Sequence, residues 1–127
     1  MNREKVVFSF FMILALTLNY GFYVGEVDNP SHHNVFELFA VVVVNMIATV
    51  LKFGDRSQMG AMLLATSLVA LVQLFSASFI WAYVVSIQGH PMTPETMSTI
   101  VSLSGGAMIA NVISVILLII ETSMMRH

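Results

Sequence analysis

The run from His33 to Lys52, HNVFELFAVVVVNMIATVLK, constrains this chain more than any other stretch. At 1.5 Å of rise per residue, ~20 helical residues cover the ~30 Å hydrocarbon core of a bilayer. Four valines in succession, Val41 to Val44, sit at its centre, and Glu37, Asn45 and Lys52 interrupt it. Three further apolar segments flank it. Over the whole chain 57% of residues are hydrophobic and 9% are charged, against about a quarter charged in soluble domains. Too little polar surface is left to cover a water-soluble fold, so the bilayer is the expected solvent. The expected fold is all-α, a single transmembrane domain with spans near 5–25, 33–53, 57–87 and 94–122.

The first span follows Arg3-Glu4-Lys5, as a signal peptide would. It is too long for one and has no small-x-small cleavage site before Asn19, so it reads as a retained helix. Tyr20, Phe22 and Tyr23 at its far end suit an aromatic belt. Ser9, Thr17 and Tyr20 make a weak polar seam along it. Asn29 is placed to cap the second helix, with Pro30 in its first turn. Gly54 follows that helix, and Asp55-Arg56-Ser57-Gln58 reads as a capping start for the third. The third span exceeds the bilayer thickness and is expected to tilt or to project near Trp81 and Tyr83. Thr93, Pro94 and Glu95 form a strong start signal for the fourth.

All five basic residues, Arg3, Lys5, Lys52, Arg56 and Arg126, fall on one side of a four-span chain. Glu26, Asp28 and Glu95 fall on the other. The positive-inside rule therefore puts both termini in the cytoplasm. Asn45–Leu51 resembles Asn111–Leu117, and Tyr23-Val24 echoes Tyr83-Val84. This pattern suggests two related hairpins with Asn45 and Asn111 at matching depth. The competing reading is chance likeness between apolar helices.

Several polar residues lie where hydrocarbon makes them costly. Glu37 sits about one turn inside the second span, four residues after His33. In a ring of subunits it would supply carboxylates that select cations; otherwise it is a boundary acid satisfied by His33, His32 or the outer loop. Thr66, Val69, Gln73, Ser76 and Ile80 share a face of the third span. Gln73 is expected to bond across to Asn45, Asn111 or Thr66, as packing or as the lining of a path. In the fourth span Ser102, Gly106, Ala110 and Ser114 recur every four residues, which suits close backbone packing and invites self-association. Lys52 and Glu121 can snorkel at the cytoplasmic boundary.

His32, His33 and His90 gather on the outer side, and His90-x-Met92 would suit copper. The same residues can simply be solvated. With no cysteine, disulfides and thiolate sites are excluded. Net charge −2 argues against nucleic acid. There is no nucleophile elbow, HExxH, phosphate loop or intramembrane di-acid motif. Neither an enzyme nor a cofactor is expected.

The segment ELFAVVVVNMIATVLKFGDRSQMGAMLLATSLVA, Glu37 to Ala70, together with IVSLSGGAMIANVISVILL, resembles a family of small uncharacterised inner-membrane proteins of bacteria, a domain of unknown function. The resemblance implies four helices and the bacterial inner membrane, and it transfers no activity. On the residues alone, the leading expectation is a small homo-oligomeric cation channel or transporter-like protein. Glu37, Asn45, Gln73, Asn111 and Thr66 would form its polar path. The alternatives are an accessory subunit of a larger membrane complex and an outer-face metal sensor.

Overall fold

The computed structural model describes residues 3–25, 33–54, 57–89 and 91–125. They form four helices: α1 (Arg3–Tyr23), α2 (Val35–Lys52), α3 (Gln58–Ala82) and α4 (Pro94–Met125). A π-helical turn, Tyr83–Ile87, extends α3 and buries none of its residues. Each helix is long and apolar enough to cross a membrane, and no strand occurs among the described residues. The chain runs up, down, up and down. Each helix packs on its neighbours in sequence, and α1 closes the ring against α4.

The helix boundaries follow from local chemistry. Asn34 caps α2, its side chain accepting from the Phe36 amide at 2.8 Å. The helix thus begins later than a cap at Asn29 would require, and Asn29 and Pro30 lie outside the described residues. Ser57 caps α3 by accepting from the Gly60 amide at 3.0 Å; Asp55 and Arg56 lie outside the described residues. Thr93 caps α4 by accepting from the Thr96 amide at 3.2 Å, with Pro94 in the position where a missing N–H costs nothing.

The buried stripes repeat at steps of three and four. On α1 they are Phe8, Met12, Ala15, Asn19 and Phe22. On α3 they are Gly60, Leu63, Ser67, Ala70, Leu74 and Ala77. A mean spacing of 3.5 is the seam of left-handed bundles, in which side chains of facing helices interlock. Outside, Val72, Phe79 and Ile109 are each more than 60% exposed, while Asn19, Asn45 and Asn111 are fully buried. Apolar side chains outside and amides inside match a hydrocarbon solvent. This is a multi-pass membrane protein.

Two expected faces are corrected. On α1, Thr17 and Tyr20 are exposed and Ser9 is half-buried. Their hydroxyls need no interior partner: Ser9 Oγ donates to the Lys5 carbonyl at 2.7 Å and Thr17 Oγ1 to the Leu14 carbonyl at 3.0 Å. On α3 the buried stripe lies beside the expected one, and Val69 is 53% exposed. In lipid the interior is marked by small side chains that admit a neighbouring helix, not by hydrophobicity. Phe22 also leaves the expected belt. It is fully buried, against the rings of His33 and Trp81 at 5.4 and 6.2 Å between centroids.

Candidate functional site

The interior divides into two apolar clusters. One includes Ala15, Phe22, Leu38, Val41, Val44, Ala70, Leu74, Ala107 and Ala110. The other comprises Phe8, Met12, Ala48, Leu63 and Leu118. The break falls where polar residues replace apolar ones in the buried stripes. Asn45 stands between Val44 and Ala48 on α2, and Ser67 between Leu63 and Ala70 on α3. On α4, Asn111 and Ser114 stand between Ala110 and Leu118. All four polar residues are fully buried. They make one polar layer across the bundle, with Met12 as its neighbour on α1.

Hydrogen bonds set how the amides in this layer are turned. Asn19 Nδ2 donates to the Ser104 carbonyl at 2.9 Å. A carbonyl accepts only, so the nitrogen must face it. Asn19 Oδ1 is thereby aimed at Asn111, whose Nδ2 donates to it at 3.2 Å. Asn45 Nδ2 donates to the Val41 carbonyl at 3.1 Å, one turn back on its own helix. Each amide therefore has its orientation dictated by a backbone carbonyl, directly or through Asn19. Among the described residues, this leaves Asn45 Oδ1 and Asn111 Oδ1 buried without a donor.

Nearby hydroxyls likewise donate their protons to local acceptors. Thr49 Oγ1 donates to the Asn45 carbonyl at 2.7 Å, and Ser104 Oγ to the Val101 carbonyl at 2.9 Å. Ser67 Oγ points its proton at Met12 Sδ, 3.8 Å away. Thr66 and Ser114 share a hydroxyl–hydroxyl bond of 2.5 Å that ties α3 to α4. The interior is thus rich in oxygen lone pairs that no donor meets.

Asn45 and Asn111 do share this layer, but they do not bond to each other. Asn111 turns to Asn19, the partner that pattern reading overlooked. Gln73 makes none of the cross-helix bonds expected of it. It packs onto α4 at Gly106, where an added Cβ would lie 2.5 Å from its Nε2, and its Oε1 is buried without a donor among the described residues. The four-residue stripe on α4 is consumed within the chain: Gly106 holds Gln73, Ala110 and Ser114 are buried, and Ser102 is exposed. Four-residue steps advance 40° each on a 3.6-residue helix, so a stripe that starts outside at Ser102 ends inside at Ser114.

Glu37 is half-buried and lies against the backbone of Gly21 on α1, so its carboxylate faces a neighbouring helix of the same chain. His33 is 4% exposed, with its Nδ1 2.5 Å from the Phe22 carbonyl. His32 and His90 lie outside the described residues, so the expected histidine group is not assembled among those described. At the opposite end Lys52 turns inward, its Nζ 4.3 Å from the Phe8 ring centre, and is 8% exposed. Beside it, Lys5 Nζ and Glu121 Oε1 form an ion pair at 2.5 Å between α1 and α4. The two charges expected to snorkel thus each meet a partner within the bundle.

The model of a family of unknown function (DUF6394) matches residues 32–122. The chain belongs to that family. The matched segment holds α2, α3 and most of α4, and with them three of the four helices that build the polar layer. No curated protein and no solved structure matches the chain.

Proposed function

We propose that this protein carries a cation across the membrane through the interior of its own four-helix bundle. The observation behind this reading is the set of buried amide oxygens without a donor among the described residues. Asn45 Oδ1 and Asn111 Oδ1 lie in the layer and Gln73 Oε1 farther along α3, where the Ser78 hydroxyl is also buried without a partner among those residues. An acceptor without a donor in hydrocarbon is costly, and a bound cation would relieve it. Glu37 and its glycine niche then act as the acid at the outer end. Lys5, Glu121 and Lys52 form the cytoplasmic end, in accord with the distribution of basic residues. The bacterial inner membrane comes into this reading from the sequence resemblance.

Apolar side chains stand on either side of the layer, Phe22, Leu38 and Leu74 toward one end and Phe8, Leu63 and Leu118 toward the other. Passage therefore requires the helices to open on one side at a time, so a transporter-like cycle fits better than a standing pore. The polar groups lie inside one chain, and the path needs no ring of subunits. A homo-oligomer would join copies through their lipid-facing surfaces.

The test is cation flux into liposomes that hold the purified protein. Glu37→Gln and Asn45→Val should each reduce flux about tenfold or more, a loss equivalent to ~1.4 kcal/mol or more in the barrier. Unchanged flux in both variants rejects the reading. Absence of flux, with a stoichiometric partner co-purifying, would make the protein an accessory subunit of a larger complex instead.

A further inference from the structure

We infer that the polar layer is a binding site for a dehydrated monovalent alkali cation, held by neutral oxygens with Asn45 Oδ1 and Asn111 Oδ1 as its principal ligands. The inference rests on the interior cation path proposed above and names the ion class that path takes.

Three observations carry it. The first is the polarity of the layer. Asn45 and Asn111 are fully buried, with their nitrogens committed to oxygen acceptors and their own oxygens unmatched. Buried amide oxygens without a donor favour positive charge and repel anions. The second is the absence of formal charge in the layer itself. Glu37 lies eight residues from Asn45 along α2, and Glu121 lies seven from Ser114 along α4, so each is about 10–12 Å away. Glu121 is moreover neutralised by Lys5. Divalent calcium and magnesium need carboxylates to offset dehydration, whereas neutral carbonyl and hydroxyl oxygens suffice for a monovalent ion.

The third is the ligand type. Apart from the Met12 thioether, which Ser67 Oγ already engages, the layer offers neither the imidazole nor the thiolate that zinc and copper favour. The hydroxyls of Ser67 and Ser114, both fully buried, are the further oxygens of the same layer. They come from α3 and α4, while Asn45 comes from α2, so an ion here would join three helices at once.

The test is thermal unfolding of the purified full chain at constant ionic strength, with choline replaced stepwise by sodium or by potassium. A ligand that binds only the folded state stabilises it by RT ln(1 + L/Kd), with L the free ligand concentration, so the unfolding midpoint keeps rising with the logarithm of the ion concentration above Kd. The midpoint should rise with the logarithm of the concentration of one or both alkali ions and stay flat in choline. Asn45→Leu and Asn111→Leu should each weaken the apparent affinity tenfold or more, while Ser102→Ala should leave it unchanged. Equal midpoints in all three salts, or a rise that survives both substitutions, overturn the inference.

Should the leucine variants fail to fold, Asn45→Asp keeps the side chain's size, gives up the bond to the Val41 carbonyl and adds a charge. It should add stabilisation by calcium that the wild-type protein lacks, and no such gain also counts against the site. Flux separates this inference from the function it rests on. A midpoint rise that depends on the alkali ion, Asn45 and Asn111, without flux, leaves the ion site standing and removes the path. Flux that falls in Glu37→Gln but ignores Asn45 and Asn111 leaves a path through the bundle and removes the site.

Discussion

Gly21 on α1 provides the space that the carboxylate of Glu37 on α2 fills. A Cβ added at position 21 would overlap Glu37 Oε2 and lie 3.0 Å from its Cδ. The acid that marks α2 in the sequence is therefore seated by a residue with no side chain, from another helix. Gly21→Ala should force the flexible end of Glu37 out of its niche, with a net loss of stability no larger than about 1 kcal/mol because alanine favours the helix by a similar amount. Glu37→Ala in the same chain should recover most of that loss. Thermal unfolding of the two single variants and the double variant checks the coupling, and simple additivity would rule out the contact.

The bonds from Ser104 through Asn19 to Asn111 join α1 to α4, whereas the bond of Asn45 stays within α2. Asn19→Leu should therefore lower the unfolding midpoint more than Asn45→Leu when both are compared in choline. Removing Asn19 strands the Asn111 amide in hydrocarbon, at a cost of roughly 0.6–2 kcal/mol by the measured range for interhelical bonds in membranes. Equal losses would mean that the asparagine chain contributes nothing between helices.

Neighbouring glycines on α4 accept different side chains. A Cβ at Gly105 would lie 2.7 Å from the ring of Tyr23, and one at Gly106 would lie 2.5 Å from Gln73 Nε2. The end of a glutamine side chain can rotate aside, while a half-buried ring edge has less freedom. Gly105→Ala should thus destabilise more than Gly106→Ala, with Gln73→Ala rescuing only the latter. The four proteins can be ranked by midpoint in one detergent.

Lys5 and Glu121 pair near the open ends of α1 and α4, with side chains 12% and 14% exposed. Reversing either charge should weaken the closure of α1 on α4. Exchanging both, Lys5→Glu with Glu121→Lys, should restore it, with a coupling of about 1–3 kcal/mol. A double-mutant cycle measures this directly. Failure of the exchange to restore stability would leave the pair without energetic weight.

Because the chain holds no cysteine, single cysteines report sidedness without background. Gly54 sits in open space and Gln88 is exposed at the opposite end. Gly54→Cys should react with an impermeant maleimide only from the cytoplasmic face, and Gln88→Cys only from the other. The reverse pattern would invert the proposed topology and move Glu37 to the inner end.

The four helices and their starts at Ser57 and Pro94 were legible because they depend on local causes: apolar runs of spanning length, capping side chains, and the tolerance of a first turn for proline. Which way each helix faces was harder to read. All sides of α3 are apolar, so hydrophobicity does not distinguish lipid from core, and the reading by Thr66 and Gln73 selected the stripe beside the buried one. Asn19 was overlooked for the same reason, although its spacing from Met12, Ala15 and Phe22 carries the signal.

The sequence by itself determined four helices long and apolar enough to cross a membrane, and that Asn45 and Asn111, deep in such helices, must each find a partner. Only the tertiary structure decided which partners those are. Hydrogen bonds depend on the rotation of each helix about its own axis. That rotation is set by the small residues that let helices approach, Gly21, Ser67, Gly105 and Gly106, and by the side chains from other helices that those positions receive.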